Sequence, residues 1–250
     1  MSFIEFVPIV VTVTLFPTML ALMALGERIA RRSEPSQSGP IEAAVLALLG
    51  LLLGFQFAGA SSRLDSRRHI VVKEANAIGT AYLRLDLLPS DDQPQLRDLF
   101  RKYITLRIQM VSTQRLDDGV ALDAASRAMQ PEIWAKAIVA CRKDPSPATR
   151  TLVLAALNDM FDVTTERATA SRTHTPLATV ALLIGVALTS AFLVGRSTSG
   201  LPRSWTMRAL FAVVVIGTMY VTMDMEFPRI GLIQVGAADE AMTATLRGME

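Results

Sequence analysis

Two long apolar runs open the chain and two close it, while the stretch between them repeats an apolar residue every third or fourth position. From Phe6 to Leu25, twenty residues pass without a charge, enough for a helix rising about 1.5 Å per residue to cross a hydrocarbon core of roughly 30 Å. Glu5 precedes this run and no Lys or Arg does, which together with its length favours a retained span over a cleaved leader. Pro8 and Pro17 fall inside it, where a lipid-embedded helix can bend if its neighbours satisfy the freed carbonyls. After a loop from Gly26 to Pro40 rich in Arg, Ser and Pro, a second uncharged run extends from Ala43 to Ser62. Leu177 to Val194 is the third, opened by Pro176, a residue suited to a first helical turn. The fourth, Ala209 to Met223, reaches span length only with Trp205 and Arg208 at one interface and Asp224 at the other. Four spans put both termini on the same side.

Between Ile41 and Leu88 there is no proline, so the second span is expected to run on as one helix of about 70 Å, a stalk leaving the bilayer. Pro89, Ser90, Asp91 and Asp92 supply a turn and an N-cap region, followed at helical spacing by Leu96, Leu99, Phe100, Tyr103, Leu106, Arg107 and Met110. Leu122, Ala125, Met129, Ile133, Trp134 and Ala137 continue the pattern, with Pro131 kinking one helix or dividing two. Asp144-Pro145-Ser146-Pro147 stops it, and Leu152, Ala156, Met160, Val163 and Arg167 mark a further helix. No segment alternates with period two. The expected fold is therefore all-α and polytopic, with a transmembrane hairpin at 1–62, an extramembrane helical domain at 63–174, a second hairpin at 175–226 and a tail at 227–250.

Composition agrees with this division. Apolar residues make up 51% and charged ones 19%, with most of the charge between Arg63 and Arg172, which excludes one uniform soluble globule. A net charge of +2, spread rather than clustered, argues against a nucleic-acid partner. The short loops on the two sides carry comparable numbers of Arg and Lys, so charge bias assigns no orientation. Cys141 is the single cysteine, with no partner for a disulfide or a metal. His69 and His174 lie far apart, and HExxH, GxSxG, Walker and CxxC motifs are absent. The sequence therefore predicts no enzyme, no catalytic residues, no metal and no cofactor.

Three clusters stand out instead. In the second span, Gly50, Gly54 and Ala58 form a small-residue face on which two helices can pack closely. Phe55, Gln56 and Phe57 are the alternative reading of the same stretch, as a gate in which rings close a pore by dewetting and an amide replaces part of an ion's hydration. Just beyond it, Arg63, Asp65, Arg67, Arg68, His69, Lys73 and Glu74 read either as a solvated collar that anchors headgroups or as a ring of pore-mouth charges around an axis. At the end of the fourth span, Asp224 and Glu226 are boundary acids, either functional or ion-paired with the Arg63 to Arg68 collar.

Three stretches together resemble the bacterial bestrophin-like family of unknown function: Gly54-Phe-Gln-Phe-Ala-Gly with Arg63 to Arg68 and Val71 to Pro89, then Leu157 to Arg167, and Asp224 to Val235. The last departs from the family's aspartate pair followed by Arg-Pro. Glu226 stands for the second aspartate and Phe227 for the arginine, so no role of that arginine carries over. The resemblance implies two helices, a helical domain and two helices, and a distant kinship with bestrophins, which are oligomeric ion channels. The expectation is a homo-oligomeric, multi-pass channel of a bacterial inner membrane, with the lipid bilayer, copies of itself and inorganic ions as partners. The alternative is a membrane-anchored scaffold or sensor whose helical domain binds a partner protein.

Overall fold

The structure, a computed structural model, describes residues 7–32, 39–113, 116–144, 146–200, 204–227 and 236–249. Among them the secondary structure is helical throughout: α1 (Val7–Ala30), α2 (Gly39–Leu83), a 3-10 turn (Arg84–Leu87), α3 (Gln93–Ser112), α4 (Leu116–Lys143), α5 (Pro147–Arg172), α6 (Leu177–Ser197), α7 (Ser204–Glu226) and α8 (Gly236–Arg247). The chain divides into two compact units, one drawn from Met1–Leu64 and His174–Leu232, the other from Asp65–Thr173 and Ile233–Glu250. The stalk expectation holds, because α2 continues unbroken for 45 residues.

The first unit is largely apolar, in its core and on its surface. Its core is built by Met19 and Met23 of α1, Leu49 of α2, Leu183, Ala187 and Ala191 of α6, and Ala212, Val215 and Met219 of α7. Val13, Leu51, Leu177, Leu210 and Val213 are more than half exposed, a greasy exterior that suits lipid better than water. Four helices are long and apolar enough to cross a membrane. Helices α1 and α6 approach to backbone contact, where a Cβ on Gly26 would lie 2.2 Å from the Phe192 carbonyl oxygen, and one on Gly195 would lie 2.0 Å from that of Met23. Glycine is required at both positions because the backbones touch there.

Beside this crossing Arg208 is buried. It pairs with Glu27 of α1, donates from Nε to the Thr198 hydroxyl at 2.8 Å and reaches the Gly195 carbonyl at 3.4 Å. Trp205, three residues earlier, is exposed, as expected of an interfacial ring.

The second unit has a conventional core of Ile78, Leu85, Leu96, Phe100, Tyr103, Ile104, Ile133, Ala137, Leu157 and Met160. Pro131 lies within the single helix α4. At the start of α5, Ser146 accepts from the Thr149 amide, with Pro147 in the first turn, the expected N-terminal arrangement. Residues 227–250, anticipated as a tail, include α8, which packs on α3. Met242 is fully buried, and the Met249 carbonyl accepts from the Tyr82 hydroxyl at 3.0 Å and from Arg101 Nε at 3.2 Å.

Candidate functional site

Successive residues of a helix are turned by about 100°, so exposure along α2 sorts by register. Ala47, Leu51, Gly54, Ala58 and Ser62 are exposed in the first unit, and Asp65, His69, Val72, Asn76, Thr80 and Leu83 in the second. These positions recur every three or four residues and make the middle of one exposed stripe down the helix, widened at its edges by Leu48, Gly50, Phe55, Phe57, Ser66 and Lys73. Among the described residues, nothing outside the local turn of α2 lies within 4 Å of a Cβ added at Gly50 or Gly54. This small-residue face, with Ala58, is thus open to a further helix.

The Phe55, Gln56 and Phe57 trio does not stay together. Two residues apart is a turn of roughly 200°, so Phe55 and Phe57, 67% and 41% exposed, flank opposite edges of the stripe. Gln56 lies behind it, half-buried, in the register of Leu49 and Ala60, which face the core. Neighbours in sequence are not neighbours on a helix surface.

The charged collar also divides. Arg63 turns toward its own unit, where Nε donates to Glu226 Oε1 at 2.8 Å and Nη2 donates to the Thr175 hydroxyl at 2.6 Å. The Thr175 hydroxyl donates to the same carboxylate oxygen at 2.7 Å, and the His174 ring stacks on Phe227 with centroids 5.1 Å apart. Of the boundary acids, Glu226 is ion-paired with Arg63 and 7% exposed, and Asp224 is 4% exposed. Arg67 donates to the backbone carbonyls of Ala170 and Thr173. Asp65 and Arg68 form a loose pair at 3.6 Å, and Lys73 reaches Glu166 at 2.6 Å.

Glu74, read from the sequence as a pore-mouth charge, is instead fully buried. Its Oε1 accepts from Arg107 Nε and its Oε2 from Arg167 Nη1, each at 2.5 Å. Arg107, also fully buried, uses Nη1 to reach Asp123 at 2.8 Å and the Ser126 hydroxyl at 3.2 Å. The Tyr103 and Thr164 hydroxyls meet at 3.0 Å close by. One acid thus ties α2 to α3 and α5, and through Arg107 to α4. Burial pushes the Tyr103 hydroxyl up. It also pushes the Asp123 carboxyl up, but hydrogen bonds from Arg127 and Arg107 outweigh burial and hold that group below its ordinary value.

A depressed folded value means stability that is fully present above about pH 4, where an unfolded aspartate is ionised, and that fades as the pH falls through the folded value. Asp123→Asn should therefore cost about 1.5 kcal/mol at neutral pH, with the gap to the wild type closing in acid. Thermal melts followed by circular dichroism over a pH series test this. A gap that stays constant down to about pH 2 would refute it.

A family profile for the Bestrophin-like domain matches residues 9–239. The chain belongs to the Bestrophin-like family. Solved structures agree at the level of fold. A crystal structure of a bacterial bestrophin homologue from Klebsiella pneumoniae matches with a TM-score of 0.70 at 16% identity, over 92% of this chain and 97% of that one. A single-substitution variant of the Klebsiella protein gives a TM-score of 0.72 at 16% identity over 95% and 97%, and another gives 0.71 at 15% over 94% and 98%. No curated protein matches the chain. Family and fold support, in general terms, a membrane protein of the bestrophin ion-channel type.

Within this Bestrophin-like chain, the first two stretches that carried the resemblance fall on α2, with the 3-10 turn after it, and on α5. Of the third, only Asp224 to Phe227 is described; residues 228–235, Arg229 among them, lie outside the described residues. Three residues that sequence reasoning did not assign to a site are Arg107, Arg167 and Thr175. For the two arginines the signal was present, since both occupy apolar register positions of their helices.

Proposed function

We propose that this chain assembles with copies of itself into an ion channel in a bacterial inner membrane, with the exposed stripe of α2 facing the central axis. The observation that carries the reading is that stripe, which keeps one helical register from Ala47 to Leu83 and carries small or weakly polar residues over most of its length. A lone helix has no use for a continuous outward face of this kind in lipid and in water alike, whereas helices gathered round an axis need one. Phe55 and Phe57 are the gate candidates, set at the two edges of the stripe where rings from adjacent copies approach each other. Gln56, turned to its own chain, drops out of the lining.

Purified protein in liposomes should release an ion gradient, and Phe55→Ala or Phe57→Ala should raise the flux severalfold, on the order of the effect of widening a hydrophobic constriction. If no flux occurs under any gradient and both variants are silent, the channel reading is wrong.

A further inference from the structure

Helix α1 ends in a basic segment that its own chain leaves partly unused. Glu27 is the acid within it, and both carboxylate oxygens are taken. Oε1 accepts from Arg31 Nε at 3.2 Å and from Arg31 Nη2 at 2.6 Å, and Oε2 accepts from Arg208 of α7. Arg28 and Arg32 are exposed, and among the described residues neither makes an ion pair or a side-chain hydrogen bond. They stand one turn apart, about 6 Å along the axis, and they continue the register of exposed Val10, Thr14, Thr18, Ala21 and Leu25. The Thr14 and Thr18 hydroxyls donate back to the carbonyls of Val10 and Thr14, each at 2.7 Å, so this face offers its surroundings no unmet polar group until the arginines.

The level of the bilayer surface is marked at the same place. Arg208 pairs with Glu27, and Trp205, about one turn earlier in α7, is exposed, where a ring at the headgroup boundary belongs. The α1–α6 crossing at Gly26 and Gly195 falls near the end of both helices, which brings Arg196 to the same boundary. With Glu42 at the start of α2 and with Glu34 and Arg203 of the loops counted in, this end of the chain's spans keeps an excess of three positive charges. Basic side chains also suit the dipole at a helix C-terminus, but the dipole does not satisfy a guanidinium's own donors at an apolar boundary. We infer that Arg28 and Arg32 hold the phosphate of an anionic phospholipid whose acyl chains lie along the exposed face of α1. Two planar forks one turn apart match phosphate oxygens bidentately. A net negative headgroup answers the local charge, whereas a zwitterionic one brings a cation of its own. The inference needs only that the first unit crosses a membrane, and it is independent of ion conduction.

The test titrates the full-length protein in mild detergent with short-chain phosphatidylglycerol, short-chain phosphatidylcholine and inorganic phosphate, each followed by isothermal titration calorimetry. At about fivefold per arginine, the wild type should bind phosphatidylglycerol about thirtyfold more tightly than phosphatidylcholine. Arg28→Gln and Arg32→Gln should each lose about fivefold, and the double variant should bind the two lipids within about twofold of each other. Lys102→Gln combined with Lys143→Gln removes as much charge from the second unit and should keep the wild-type preference. Both arginines are exposed, so all variants should elute like the wild type on size exclusion; if the double variant does not, the two single variants carry the test. A wild type without the preference, a double variant that keeps it, or an equal loss in the lysine control overturns the site. Inorganic phosphate that binds as tightly as phosphatidylglycerol also overturns it, because the ligand is then a free anion. A double variant with unchanged lipid binding but a smaller particle gives the face to a second copy of the chain and overturns the lipid assignment.

Discussion

Replacing Glu74 with alanine should destabilise the second unit by about 3–5 kcal/mol, the scale for removing one partner of a buried ion pair. The residue is 0% exposed, as is Arg107, and Arg167 is 8% exposed, so alanine leaves two guanidinium groups in a dry interior without the carboxylate that both share. Arg107 keeps Asp123 and Ser126. A single partly exposed carboxylate is nevertheless a poor exchange for a fully buried one. Domains are stable by only about 5–15 kcal/mol, so the variant should show rapid proteolysis within α3 to α5 at temperatures the wild type tolerates. Glu74→Gln should fall between the two, keeping the hydrogen-bonding oxygen and losing the charge. Simultaneous Glu74→Leu, Arg107→Met and Arg167→Met should recover most of the loss, because apolar side chains of similar size remove the need for compensation. Limited proteolysis and circular dichroism melts of the full chain provide the measurement. An alanine variant as resistant as the wild type would mean that the three charges do not depend on one another.

How much of this could be read beforehand follows from the range of each signal. The four spans and the unbroken α2 are local properties of composition and of the missing prolines, and they emerge as expected. The Glu74 cluster is not local. Arg107 and Arg167 lie 33 and 93 positions away along the chain, so periodicity places them on the inner faces of α3 and α5 but cannot say which acid they meet. For the same reason the sequence groups Glu74 with its neighbours Arg67, Arg68 and Lys73, although a turn of about 100° per residue separates inward from outward positions within a single helical turn. Helix α8 leaves little signal in the sequence, because its short, alanine-rich segment has few large apolar positions, although it packs on α3. The small-residue motif speaks to a different kind of contact. Among the described residues nothing of another element lies within 4 Å of a Cβ added at Gly50 or Gly54, whereas one on Gly26 or Gly195, which belong to no repeating motif, would meet backbone at 2.2 or 2.0 Å.

Gly195→Ala should accordingly be the most damaging small substitution in the first unit. Its Cβ would lie 2.0 Å from the Met23 carbonyl oxygen and 2.5 Å from the Met23 Cα, and backbone atoms cannot swing aside as a side-chain tip does. Helix α1 would have to move off α6 by on the order of an ångström, opening gaps around buried Met19 and Met23 in a close-packed interior. The same movement pulls Glu27 away from Arg208, which holds α7 to this crossing through Thr198 and the Gly195 carbonyl. Overpacking at this crossing should cost about 3 kcal/mol, read as a fall in the melting temperature and in the monodisperse fraction in mild detergent. Gly26→Ala should behave alike, since its Cβ would meet the Phe192 carbonyl oxygen at 2.2 Å. Gly50→Ala and Gly54→Ala supply the contrast, because their Cβ atoms enter open space. Each chain should fold as before, and any effect should appear only in the assembled particle, as a change in oligomer size or in ion flux. If Gly195→Ala melts with the wild type while Gly54→Ala does not, the tight α1–α6 crossing is not the contact that holds the first unit together.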